Sequence, residues 1–242
     1  MRAAAAYERG LKPVTHLIDV ADEQTAMRLR AAADPAGKDR LAAGSLDDHA
    51  TDRADAVFAR TVLLAERRWN PSGDLDELTA IHKGLFEGVF EDAGKLRTSN
   101  TTREVTNDRA RAANPEAFFP AGLIETGAHN IAMELADKRN LHALDRDVFV
   151  HAFASIYDEL GYLHPFRGGN AMVLRIFGSR LAHDAGWDLD WGSVTREEYR
   201  SAKHSAYRGD TSALETMFDA TLRPANPTRV FLIAGWNQGP AH

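Results

Sequence analysis

The residues of this sequence best suited to chemistry by type and spacing are His164-Pro165-Phe166-Arg167-Gly168-Gly169-Asn170, wedged between two helical patterns. Consecutive glycines let backbone N–H groups turn into a common concavity at the start of the next helix, where those donors and the helix dipole favour an anion such as phosphate. His164, at the other end of the same loop, titrates near neutrality and can take a proton from a hydroxyl attacking that phosphate, while Asn170 can donate to a phosphate oxygen. These parts suit phosphoryl or nucleotidyl transfer. Residue types alone leave alternatives open: Gly-Gly before a helix is commonly a turn, and a histidine after Tyr-Leu is commonly a core or capping residue.

The elements that must position this loop are helical. Ala54, Val57, Phe58, Thr61, Val62, Leu64 and Ala65 form an apolar stripe, and Asn70-Pro71-Ser72-Gly73-Asp74 reads as a break followed by a cap on the next helix. Leu75, Leu78, Ile81, His82, Leu85, Phe86, Val89 and Phe90 continue at helical spacing, with Gly94 expected to close the run. Periodicity disappears between Arg97 and Pro120, which reads as a loop with an apolar knuckle at Phe118 and Phe119. Residues 122 to 140 and 145 to 160 read as two amphipathic helices. A further helix is expected from the loop to about Ala185, with Gly186 as its stop, and a last helical pair in YRSAKHSAYRGDTSALETMFDATL. Strong strand alternation appears nowhere. The tail from Pro224, with its short VFLI run, reads as an extension, a small strand or a linker.

Composition bounds the partners. With 44% apolar and 26% charged residues among 242, the chain has the balance of a soluble globular protein able to build a sizeable core. The formal net charge is −6 and basic residues alternate with acidic ones, so no nucleic-acid face is expected. No run of eighteen apolar residues exists, and MRAAAAYERGLKPV has no apolar signal core, so no membrane partner is expected and the reading is cytoplasmic, or delivered by a dedicated secretion machine. Cysteine is absent, and His82, His129, His142, His151, His183 and His204 lack metal-ligand spacing, so they read as structural or surface groups and no metal site is expected.

The loop and its helix, HPFRGGNAMVLR, resemble the signature of the Fic family: His-Pro-Phe, any residue, Asp or Glu, Gly-Asn, Gly or Lys, Arg, two residues, Arg. Phe90-Glu91-Asp92-Ala93-Gly94-Lys95-Leu96-Arg97 resembles the family's run into its target-docking flap, and Tyr207-Arg208-Gly209-Asp210-Thr211-Ser212-Ala213-Leu214 its closing Gly-Asp and apolar helix. The resemblance implies an all-α Fic-type bundle around a central signature loop and helix, with a short flap that can form a small β-hairpin. It implies an N-terminal helical extension over residues 1–54, a Fic domain over 55–222 and a C-terminal tail over 223–242.

Family membership implies transfer of AMP from ATP to a Ser, Thr or Tyr hydroxyl of a target protein. Position by position, His164 would be the general base, Phe166 the loop's anchor in the core, and Gly169 and Asn170 the α-phosphate holders. Arg175 matches the second family arginine. The flap from about Arg97 to Phe119 would align the target segment by backbone pairing. The chain departs from the pattern where the other phosphates are handled. Gly168 stands at the acidic position that would hold Mg²⁺, Ala171 at Gly or Lys, and Met172 at the first arginine. Loss of one preorganised electrostatic contact costs about 3 kcal/mol of transition-state stabilisation, so weakened or altered catalysis is expected, with Arg167 the candidate replacement. The family's inhibitory run, Ser or Thr, three residues, Glu, then Gly or Asn, has no match. The nearest, Ser193 to Glu197, is followed by Glu198. Two readings follow: a transferase restrained, as toxins are, by a separate antitoxin chain, or an idle Fic fold serving as a protein-binding module, effector or toxin-related. A third reading, a ligand of smaller phosphate load bound without Mg²⁺, joins the lost acid and lost arginine in one explanation.

Overall fold

The computed structural model describes residues 60, 64, 71–102 and 117–225. The extension over 1–54, the stripe from Ala54 to Ala65 apart from Arg60 and Leu64, the centre of the flap and the tail beyond residue 225 lie outside the described residues.

Helix α1, Leu75–Phe86, begins where the cap chemistry places it: the Asp74 carboxylate accepts from the backbone of Asp76 at 3.1 Å and of Glu77 at 3.2 Å. It ends earlier than the apolar spacing predicts. Gly88 takes the left-handed conformation at φ 79°, the chain turns, and Phe90 folds back to stack on Phe86 with ring centroids 4.5 Å apart. The apolar residues beyond Phe86 thus reach the core through a turn rather than another helical turn. Helix α2, Ile124–Asp137, and α3, Arg146–Leu163, follow. The segment between them carries left-handed backbone at Arg139, Asn140 and Leu141, which stops α2 short of residue 140 and buries Leu141.

Helix α3 and helix α4, Asn170–Asp184, are the centre of the molecule. Much of each is buried, α3 through Phe149, Phe153, Ile156, Tyr157 and Leu160, and α4 through Val173, Leu174 and the run from Ile176 to Ala182. Around them, α1 lies on α4, α2 on α3, and α5, Arg196–Tyr207, with α6, Ser212–Thr221, close over α3. Thr195 and Glu198 form a reciprocal capping box that starts α5. A short antiparallel pair, β1 (Trp187–Leu189) with β2 (Leu222–Pro224), ties the end of α4 to the end of α6 in the register Asp188 opposite Arg223. The alternation-free sequence gives no sign of this pair, because strands of three residues leave no period to read.

Several polar groups taken into the core pair with one another. The Trp191 Nε1–H donates to Ser179 at 2.8 Å, and the Tyr157 and Tyr199 hydroxyls meet at 2.7 Å. Arg180 donates from Nε to Glu77 Oε1 at 2.7 Å and also bonds Oε2, while the Gly73 N–H reaches Oε2 at 2.8 Å. That pair joins α4 to α1.

Candidate functional site

His164 caps α3 in a left-handed conformation (φ 44°, ψ 61°), which carries the chain out of the helix and into the loop. A non-glycine residue held there stores roughly 1–2 kcal/mol of backbone strain, so its surroundings must over-determine it. They do. The imidazole stacks on Phe118 of the flap with centroids 3.8 Å apart, and the His164 carbonyl accepts from Arg97 Nε at 2.7 Å. Arg97, nearly fully buried, also donates to the carbonyls of Ser99, Phe119 and Leu163, and its own N–H donates to the Pro165 carbonyl at 2.9 Å. One guanidinium therefore fastens the flap's stem, the end of α3 and the loop together. The Phe118 N–H to Thr101 carbonyl bond at 3.0 Å and the antiparallel bridge between Thr102 and Ala117 give the flap a paired base.

The loop's other half is held from below. Phe166 is fully buried and stacks on His82 at 3.9 Å. Nδ1 of His82 accepts from the Gly94 N–H at 2.7 Å, so its Nε2 carries the proton and donates to the Gly168 carbonyl at 3.1 Å. Burial pushes this imidazole below the ordinary histidine range, against the opposing pull of the Gly168 carbonyl and Asp92. Of the two readings of His82, structural or surface, the structure bears out the first: the ring is the strut that sets the height of the loop. The helical spacing places His82 on the stripe of α1, but not beside Gly168, which is near it in space and far from it in sequence.

Asn170 closes the loop on itself: its side chain accepts from the Phe166 N–H at 2.9 Å and donates to the Phe166 carbonyl at 2.7 Å. Gly169 sits at φ 74° against Phe86, and its carbonyl accepts from Met172 and Val173 to open α4. The N–H groups of Asn170 and Ala171 precede these first helical bonds and make the helix N-terminus an anion-favouring edge. His164, Asn170 and Ala171 line one cavity of about 270 Å³, together with Phe118 of the flap, Leu174 of α4 and Arg196, Tyr199, Arg200 and Lys203 of α5.

The remaining predicted nucleotide-binding residues, Arg167, Gly168, Gly169 and Arg175, are not among those lining it. Arg175 places its guanidinium 5.7 Å from the Tyr199 ring centroid. Arg167 is 79% exposed and pairs with Asp92 at 3.4 Å, and neither residue lines the cavity. Gly168 has room for a side chain, since a Cβ there meets only the Phe90 ring at 3.5 Å. The loop itself offers no carboxylate, and among the described residues no group of acids and histidines is arranged to hold a metal ion. The donor set therefore does not fit Mg²⁺, a hard cation that takes oxygen ligands. No described helix is long and apolar enough to cross a membrane.

A loop fixed between two buried helices, a histidine under a paired flap and a helix N-terminus thus meet at one cavity. The model of the Fic/DOC family matches residues 72–182. A probable protein adenylyltransferase Fic of Salmonella typhimurium is 32% identical over 154 residues, covering 64% of this chain and 72% of that protein. Protein adenylyltransferase VbhT of Bartonella schoenbuchensis is 33% identical over 181 residues, covering 74% of this chain, which thus spans only 36% of that relative's length. Among solved structures, the ADP-bound N-terminal Fic domain of a VirB-translocated effector from Bartonella quintana superposes with a TM-score of 0.65 at 23% identity, over 74% of this chain and 86% of that one. The chain belongs to the Fic/DOC family.

Proposed function

We propose that this chain is a nucleotidyltransferase that moves AMP from ATP to a hydroxyl side chain of a target protein, at a rate reduced from that of a Fic protein with the full signature. The observation that carries the reading is the convergence of His164, Asn170 and the N-terminus of α4 on one cavity beneath the flap. The relatives named as adenylyltransferases supply the chemistry.

His164 takes the proton of the target hydroxyl as its oxygen forms a bond to the α-phosphorus. The bond from that phosphorus to the bridging oxygen breaks, and pyrophosphate leaves. The Asn170 and Ala171 amides steady the α-phosphate, and Arg175 is held for the outer phosphates. The target segment lies along the base of the flap. Gly168 and Met172 remove charge neutralisation of the leaving group, which is the source of the reduced rate. The same two residues favour the second reading, a Fic fold used as a binding module.

Incubation of the purified chain and a cell lysate with α-labelled ATP separates the two. Label on protein that disappears in His164→Ala is the result expected of the transferase. Absence of label from both proteins, with the target still captured, assigns the fold to binding alone.

A further inference from the structure

The cavity has a second wall. Arg196, Tyr199, Arg200 and Lys203 follow one another at the i, i+3, i+4, i+7 spacing of a single face of α5, and that face lines the same cavity as His164 and Asn170. Three cations thus enter the lining, and no Asp or Glu does among the described residues. The acids of the same helix stand elsewhere: Glu198 is turned back to cap Thr195, and Glu197 is exposed on the outer side.

A charged helix face is ordinarily a solvated one. This one is folded inward at Lys203, which is half-buried, with its Nζ 5.6 Å from the Tyr199 ring centroid. The ammonium lies directly over Gly161 of α3, where a Cβ would come within 3.3 Å of both Cε and Nζ, so the absence of a side chain at 161 makes room for it. Tyr199 is anchored by its hydroxyl bond to Tyr157, and Arg175 approaches the same ring at 5.7 Å.

Resting on the reading of this cavity as the nucleotide site, we propose that it binds its nucleotide phosphates without a divalent cation, the positive charge coming from Arg196, Arg200 and Lys203. Phosphate oxygens need neutralising charge from somewhere in a partly dehydrated site. The loop supplies no oxygen ligand for a hard cation, and Met172 is neutral where a guanidinium is expected. Cations already built into the protein make a metal redundant.

The test is calorimetric titration of the full chain with ADP in EDTA and again in excess Mg²⁺, with Arg200→Gln and the double variant Arg200→Gln/Lys203→Gln beside it. ADP is expected to bind in EDTA, to change in Kd by less than about twofold on adding Mg²⁺, and to weaken by about tenfold or more in each variant, as loss of a charge-assisted contact predicts. Arg200 is exposed, so its single variant keeps the fold and the comparison stands whatever the double variant does. Binding that requires Mg²⁺, no binding in either buffer, or equal affinity in wild type and Arg200→Gln each overturns the proposal. The labelling assay is independent: ADP bound in EDTA without label transfer sinks the transferase and leaves this inference, whereas label transfer with strictly Mg²⁺-dependent binding does the reverse.

Discussion

His82 accepts a hydrogen bond from one backbone segment and donates one to another, so only the neutral ring with its proton on Nε2 fits between Gly94 and Gly168. Protonating Nδ1 would set two N–H groups against each other. Its folded-state pKa is lowered, so the unfolded chain binds the extra proton first, and stability falls as the pH drops from about 6.5 towards that lowered value. His82→Gln should cost about 1–3 kcal/mol at about pH 7.5, measured by urea unfolding, through the lost buried bonds. The gap between wild type and variant should narrow at about pH 5.5, because only the wild type pays the protonation cost. A gap that stays constant would show that the imidazole is not held neutral. Arg97 belongs to the same scale: a single buried side chain, recognisable beforehand only as part of a family landmark, turns out to fasten four carbonyl groups at the rim of the site.

At the scale of elements, the junction of the loop with α4 leaves least room for change. Gly169 is left-handed, and a Cβ on it would lie 2.3 Å from Cε2 of Phe86, itself packed between His82 and Phe90. Gly169→Ala adds the left-handed penalty to an overpacked contact and should destabilise the fold by about 2–4 kcal/mol, read as a drop in urea midpoint. A variant as stable as wild type would mean that Phe86 is free to move aside. The inhibitory run sought in the sequence has its nearest match at Ser193 to Glu197, and in the fold this stretch is the turn and capping box that begin α5. The stretch is thus committed to starting the helix whose next turns line the cavity.

Across the whole molecule, α4 is tied to α1 by the Arg180–Glu77 pair, whose carboxylate side is fully buried. Arg180 also reaches Asp184 at 3.2 Å and lies over the Phe177 ring. Buried pairs of this kind add little net stability over an apolar pair but are costly to break. Arg180→Met leaves Glu77 without its cation and should lower stability by about 3–5 kcal/mol, while Arg180→Met with Glu77→Gln should recover part of the loss. Urea unfolding of the two variants checks this, and a single variant as stable as the double one would show that the pair carries no special burden. Because α1 also carries His82 beneath the loop, the same interface that holds the bundle together sets the floor of the site.

Much of this protein is legible in its residues one stretch at a time. Asp74 as a cap, the apolar stripes of α1 to α3, Gly186 as a stop and HPFRGGN ahead of a helix are all local, because capping, helical period and glycine backbone chemistry act within a few residues. Those local signals point to a helical chain with a glycine-rich loop ahead of a buried helix, and the ordered landmarks around it point to the Fic family. Tertiary structure alone decided what the loop faces. It placed His82 under Gly168, turned Arg167 outward to Asp92, used the Asn170 side chain to close the loop, and swung the Arg196, Arg200 and Lys203 face of α5 onto the cavity. These are encounters between elements distant along the chain. They depend on how buried helices pack, which no short-range period encodes.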